Sequence, residues 1–172
     1  MATLVNNYIF KALDAYPYDL EEAVEALNYA LSYDEKNTTA LILLGRIHAE
    51  VLKDFEKAKG YYAEALAENM HAFEVYPHYI NVLLWNEDIE EAKKLIAFAL
   101  TVKGVDKAVL YVGKAHLYEQ LKKYKKALEA LKQAKLHTYN NDYLYTIDSA
   151  KDRIKGKVPK KKKNNCKKKK KK

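Results

Sequence analysis

The sequence is short of the residues that bend and interrupt a chain: it has five glycines and three prolines in 172 residues. Turns that need a positive φ are therefore few, which argues against an all-β sandwich or barrel and against collagen-like or linker-rich architecture. No run of about 18 apolar residues occurs, so no membrane-spanning helix is expected. The first residues, MATLVNNYIFKALDAYP, have no basic leader and are interrupted by Asn6, Asn7 and Lys11, so no signal peptide is expected. A single cysteine, Cys166, cannot form an internal disulfide, which fits a reducing compartment and a cytoplasmic location. Apolar residues, by contrast, make up 49% of the chain, enough to bury a core.

The net charge of +8 is unevenly spread. Twelve lysines and no acids lie in 155–172, so that segment carries +12 and the rest carries −4. Within that rest, residues 1–102 balance at −9 and residues 103–137 at +6. An acidic front is followed by a basic back and a lysine tail, a division with functional potential.

A repeat is legible without any structure. Leu20, Phe55, Ile89 and Tyr124 each open a segment with alanine three positions on, at Ala23, Ala58, Ala92 and Ala127. Large residues follow at Leu27, Tyr62, Ile96 and Leu131, then second alanines at Ala30, Ala65, Ala99 and Ala134. Each column steps by 35, 34 and 35 residues. Apolar positions at i, i+3, i+7 and i+10 make one helical stripe rather than a strand alternation. The alanines on that stripe let a second helix approach closely. That partner is the apolar stretch upstream of each segment: Leu4–Tyr16, Ala40–Val51, Phe73–Trp85 and Ala108–Leu121. Polar turns such as Asn86–Asp88 and Lys122–Lys123 join the pairs. The expected fold is all-α, about four helical hairpins in series. After them, Tyr143, Ile147, Ala150 and Ile154 recur at helical spacing behind a cap at Asn141 or Asp142, as a C-terminal capping helix requires. The expected organisation is a helical repeat domain over 1–155 and a disordered lysine-rich tail over 156–172.

These residues resemble the tetratricopeptide repeat family, whose signature is W-x2-L-G-x2-Y then A-x3-F on a 34-residue period. The second repeat reads Leu41-x2-Leu44-Gly45-x2-His48, then Ala58-x3-Tyr62, with one extra residue expected in its turn. The fourth reads Tyr111-x2-Lys114-Ala115-x2-Tyr118, then Ala127-x3-Leu131; the third is poorer, and the first is recognisable mainly in its second helix. The family's proline is absent throughout. The resemblance, covering about residues 3–137, implies a superhelical array whose first helices line a concave, peptide-binding surface. It places Ile42, Arg46 and Glu50 there from the second repeat, Asn81 and Trp85 from the third, and Val112, His116 and Glu119 from the fourth. The two-carboxylate clamp of chaperone-binding members is missing, since Ile42, Leu43, Pro77, Val112 and Gly113 stand at its positions.

Catalytic signatures are lacking: there is no glycine-rich phosphate loop, no G-x-S-x-G and no H-E-x-x-H. His71, Glu74 and His78 would share a helical face, but two histidines two turns apart do not readily chelate one ion, so no metal and no cofactor are expected. His48 stands at an aromatic position and is expected as a packed ring. Tyr62, Tyr111, Tyr118 and Tyr124 fall in packing columns, whereas Tyr29, Tyr33 and Tyr61 fall between them and are expected to be exposed.

The expected function is a non-catalytic protein–protein interaction scaffold that binds a peptide or helix, with no small-molecule substrate. The alternative is a nucleic-acid- or ribosome-associated factor using Lys160, Lys161, Lys162, Lys163, Lys167, Lys168, Lys169, Lys170, Lys171 and Lys172 on RNA or DNA. An acidic body, and aromatics that do not alternate with the basic residues, weigh against it. The same lysines suit a weak electrostatic contact with an anionic membrane surface, and their Lys/Asn composition is also what AT-rich codons give without selection for function.

Overall fold

In a computed structural model, residues 2–159 are described, and nine helices are found among them. They form four hairpins: α1 (Ala2–Ala15) with α2 (Leu20–Tyr33), α3 (Thr38–Arg46) with α4 (Phe55–Glu68), α5 (Val75–Trp85) with α6 (Ile89–Ala99), and α7 (Lys107–Gln120) with α8 (Tyr124–Leu136). A ninth helix, α9 (Asn141–Lys157), packs on the last hairpin. No strand is found among the described residues.

The alanine columns explain the packing. Ala23, Ala58, Ala92 and Ala127 are fully buried, as are Ala30, Ala65, Ala99 and Ala134, so eight methyl groups sit where helices cross. Larger residues from the same stripes fill four contiguous core clusters along the array. The glycine of the second repeat has a specific task. A Cβ on Gly45 would lie 2.5 Å from Cε1 of the buried Tyr62, so only glycine lets that ring lie against α3.

The helix starts repeat as well. Asp19 and Asp54 accept from the amides of Glu22 (2.9 Å) and Lys57 (3.2 Å), satisfying donors that the first turn leaves unpaired. Asn37 and Asp106 do the same for α3 and α7. In the turns of the second, third and fourth hairpins a non-glycine residue takes positive φ: Lys53 (56°), Glu87 (61°) and Lys122 (55°). These three keep the repeat's spacing, and the sequence carries no glycine or asparagine there to announce it.

Between α3 and the turn, Ile47–Val51 form a π-helical segment, with the Leu52 amide donating to the Ile47 carbonyl at 3.1 Å. A π-turn is how a helix absorbs one inserted residue. The extra residue between Gly45 and Ala58 is therefore absorbed at the end of the first helix and not in the turn where the sequence places it.

Two sequence expectations are corrected. The cap of α9 is Asn140, which accepts from the amides of Asp142 (2.9 Å) and Tyr143 (3.2 Å), leaving Asn141 and Asp142 inside the helix. That helix ends at Lys157, whose ammonium reaches Glu119 of α7 at 2.7 Å. α5 begins at Val75, so His71 lies in the preceding turn, its ring edge-on to Phe73, and shares no helical face with His78. Residues 160–172, with Cys166 and the ten lysines from Lys160 onward, lie outside the described residues.

Candidate partner-binding face

The first helices of the hairpins stand side by side, and contacts between their side chains mark out one continuous face. The Tyr16 hydroxyl, just after α1, donates to Glu50 Oε2 at 2.8 Å. Glu50 lies 3.6 Å from Arg46 Nε and 3.7 Å from His78 Nδ1 of α5. The Gln120 amide of α7 donates to the Leu84 carbonyl of α5 at 3.1 Å, and Arg153 of α9 donates to Glu119 of α7 at 2.6 Å.

Two centres stand out. The first is the polar cluster of Tyr16, Arg46, Glu50 and His78, where the Arg46 guanidinium carbon lies 5.1 Å from the centre of the Tyr16 ring. Arg46 Nε is buried without a hydrogen-bond partner. Burial, with Arg46 nearby, pushes the His78 pKa down, and burial next to Glu50 pushes the Tyr16 hydroxyl up.

The second centre lies between α5, α7 and α9 and consists of two adjoining cavities. The smaller, about 150 Å³, is a largely apolar slot walled by Pro77, Ile80, Val109, Val112, Gly113 and Tyr143. The larger, about 350 Å³, is bounded by Trp85, Glu119, Gln120, Arg153 and Lys157. Asn81 and His116 line both. Gly113 keeps the slot open beside Ile80, whose Cγ2 would lie 3.1 Å from an added Cβ. Burial, with Arg153 nearby, lowers the His116 pKa and so favours the neutral imidazole. Glu119 is 9% exposed and holds Arg153 and Lys157 together, leaving one net positive charge at the rim. An apolar slot opening onto a charged rim suits an apolar side chain followed by polar or acidic groups.

The eight residues projected from the sequence divide among these places. Asn81, Trp85, Val112, His116 and Glu119 gather around the two cavities, and Arg46 and Glu50 belong to the first cluster. Ile42 is a core residue, 6% exposed and packed with Leu41 and Tyr62. Trp85 is half-exposed, tilted against Phe55 at 6.1 Å with the Lys53 ammonium 5.9 Å from its ring. Sequence reasoning missed Tyr143, Arg153 and Lys157, all from α9. The signal was present: Asn140 follows Asp106 by 34 residues and Arg153 follows Glu119 by 34, so the capping helix α9 keeps the step of the first helices.

Other expectations resolve case by case. His48 is a packed ring, 5.4 Å from Tyr61, which makes Tyr61 half-buried rather than exposed; Tyr29 and Tyr33 are exposed. The structure also brings aromatic and basic residues together where the sequence showed no alternation. Lys114 lies 5.8 Å from the Tyr111 ring, and Lys126 lies 5.8 Å from the Tyr118 ring. They meet because positions three apart in α7, and positions on facing helices, become neighbours only on folding. Among the described residues no group of three or more His, Cys, Asp or Glu could hold a metal ion, and no helix is long and apolar enough to cross a membrane.

No family model matches the sequence, and no curated protein matches it. Solved structures do. PilF of Pseudomonas aeruginosa is similar at a TM-score of 0.72 and 19% identity, over 92% of this chain and 78% of that one. A MamA fragment from Desulfovibrio magneticus RS-1 is similar at 0.65 and 21%, over 91% and 88%. The Arabidopsis OM64 TPR domain is similar at 0.57 and 18%, over 70% and 96%. With the 34-residue period, the hairpin series and the alanine crossings, these likenesses fix the architecture: the described residues have the tetratricopeptide-repeat fold, with four hairpins and a C-terminal capping helix.

Proposed function

We propose that the chain is a non-catalytic protein-interaction scaffold that binds a peptide or helix of another protein on the concave face formed by its first helices. The observation that carries this is the pair of adjoining cavities sharing Asn81 and His116, walled by three separate helices. Asn81 makes no side-chain hydrogen bond to a described residue, so its amide is free to pair with the backbone of an extended segment. In its neutral form, which burial favours, His116 offers both a donor and an acceptor beside it. The reading calls for no cofactor, metal or small-molecule substrate, and the single cysteine favours the cytoplasm as its compartment.

The test is affinity capture from a native extract with the immobilised full chain and with an Asn81→Ala/Trp85→Ala variant. The reading requires a discrete protein that resists high salt and is lost in the variant while the helical melt is unchanged. Retention of the same protein by a folded variant would remove this face from consideration.

A second reading, contact with nucleic acid, draws support from the lysines set over tyrosines on α7 and α8.

A further inference from the structure

The surface of α7 and α8 carries a site separate from the concave face. A cleft of about 240 Å³ lies between the two helices, lined by Tyr111, Lys114 and Tyr118 of α7 and by Lys126, Glu129 and Gln133 of α8. It is smaller than the roughly 300 Å³ at which pockets begin to enclose a drug-sized ligand, so it suits one flat group of a longer molecule. The exposed His137 ring stacks on Tyr111 at 5.5 Å and 9°, extending the aromatic surface out of the cleft.

Positive charge flanks these rings. Lys114 and Lys126, which line the cleft, form no ion pair with any described residue. Of the three acids in 103–137, Asp106 caps α7 and Glu119 is held on the other face by Arg153 and Lys157. Only Glu129 faces the cleft, leaving it a net positive charge. The two ammonium groups sit 5.8 Å from their rings, near the outer limit of about 6 Å for a cation–π contact, so each can swing to a phosphate when a base takes its place.

We propose that this cleft is a binding site for single-stranded nucleic acid, with one base stacked on Tyr118 or on the Tyr111–His137 pair and the flanking phosphates on Lys114 and Lys126. Inset rings with lysines at their edges are what sequence-tolerant single-strand binding uses. An anionic membrane would need the lysines but not a slot between helices. This site does not depend on the concave face, so either reading can fail alone.

Fluorescence anisotropy with a labelled 12-nucleotide oligouridylate tests the proposal on the full chain, with inorganic polyphosphate as the baseless polyanion. Lys114→Gln/Lys126→Gln should weaken RNA binding about tenfold near 150 mM salt and lower the salt slope by about 1.4, the contribution of two phosphates. Tyr118→Leu, which keeps an apolar side chain in the packing, should cost about fivefold or more for RNA and leave polyphosphate binding unchanged. His137→Ala, at an exposed position, gives the same reading if the Tyr118 variant melts early. Unchanged RNA affinity in the folded lysine variant would overturn the proposal. So would an equal loss for RNA and polyphosphate in the ring variants, or lysine-dependent binding of phosphatidylserine vesicles without RNA binding.

Discussion

Adding one methyl group at Gly45 tests the repeat register at its tightest point. An alanine there would place Cβ 2.5, 2.8 and 2.9 Å from three atoms of the Tyr62 ring. That ring is fully buried, with Tyr79 5.8 Å away and His78 6.4 Å away, so it has no open side to move into. Overpacking of this kind costs about 1–3 kcal/mol, and the absence of relief puts it in the upper half of that range. Replacing a helical glycine by alanine returns about 1 kcal/mol of helix propensity. The net expectation is a loss of about 1–2 kcal/mol, hence a melting temperature lower by about 2–8 °C for a chain of this size. Gly60 is the internal control. It lies on the exposed side of α4 with nothing within 4 Å of an added Cβ, so Gly60→Ala should raise the melt by about 2–4 °C. Thermal and urea melts followed by circular dichroism at 222 nm give both signs. A Gly45→Ala protein that melts with or above the parent would refute the packing argument.

Further expectations concern the crossings, the buried acid and pH. Ala58→Leu or Ala92→Leu should cost about 1–3 kcal/mol in a urea melt, because each methyl group is fully enclosed at a helix crossing. Glu119→Gln should cost about 1–3 kcal/mol and speed amide exchange in 147–157, since Arg153 and Lys157 lose the negative charge that holds them and one of its two acceptor oxygens; unchanged exchange there would show that the apolar residues alone hold α9. His78 and His116 have pKa values pushed below the ordinary value near 6.5 by burial, so the folded state binds fewer protons than the unfolded one just below that pH. Stability should be full above about pH 6.5 and fall as the pH drops below it, before the carboxylates titrate. A urea midpoint flat between pH 7.5 and 5.5 would contradict this.

Much of this architecture could be read from the sequence because it rests on two columns of alanine, and small residues at a fixed period leave little other reason to recur. The turns were not legible in the same way. Lys53, Glu87 and Lys122 adopt positive φ with side chains that signal nothing, and the π-turn at Ile47–Val51 showed only as a one-residue excess. The site was partly legible. Asn81 and His116 stand at the family's groove positions, but Tyr143, Arg153 and Lys157 belong to the capping helix, which lies outside the signature and whose inward side chains only packing against α7 reveals. Ile42 shows the opposite failure: its projected groove position turned out to be a core position, because α3 buries nearly its whole circumference. The pairing of lysines with tyrosines on α7 and α8 needed two helices to be set side by side before it could be seen at all.

The central claim is that partner recognition belongs to the face shared by α5, α7 and α9. Photo-crosslinking tests it most directly, with p-benzoylphenylalanine in place of the exposed Gln120 at the edge of the larger cavity in one protein and in place of the exposed Glu64 on the outer side of α4 in another. The account predicts a single discrete adduct from position 120 and none of that mass from position 64. Adducts of equal yield at both positions, or at position 64 alone, would contradict it.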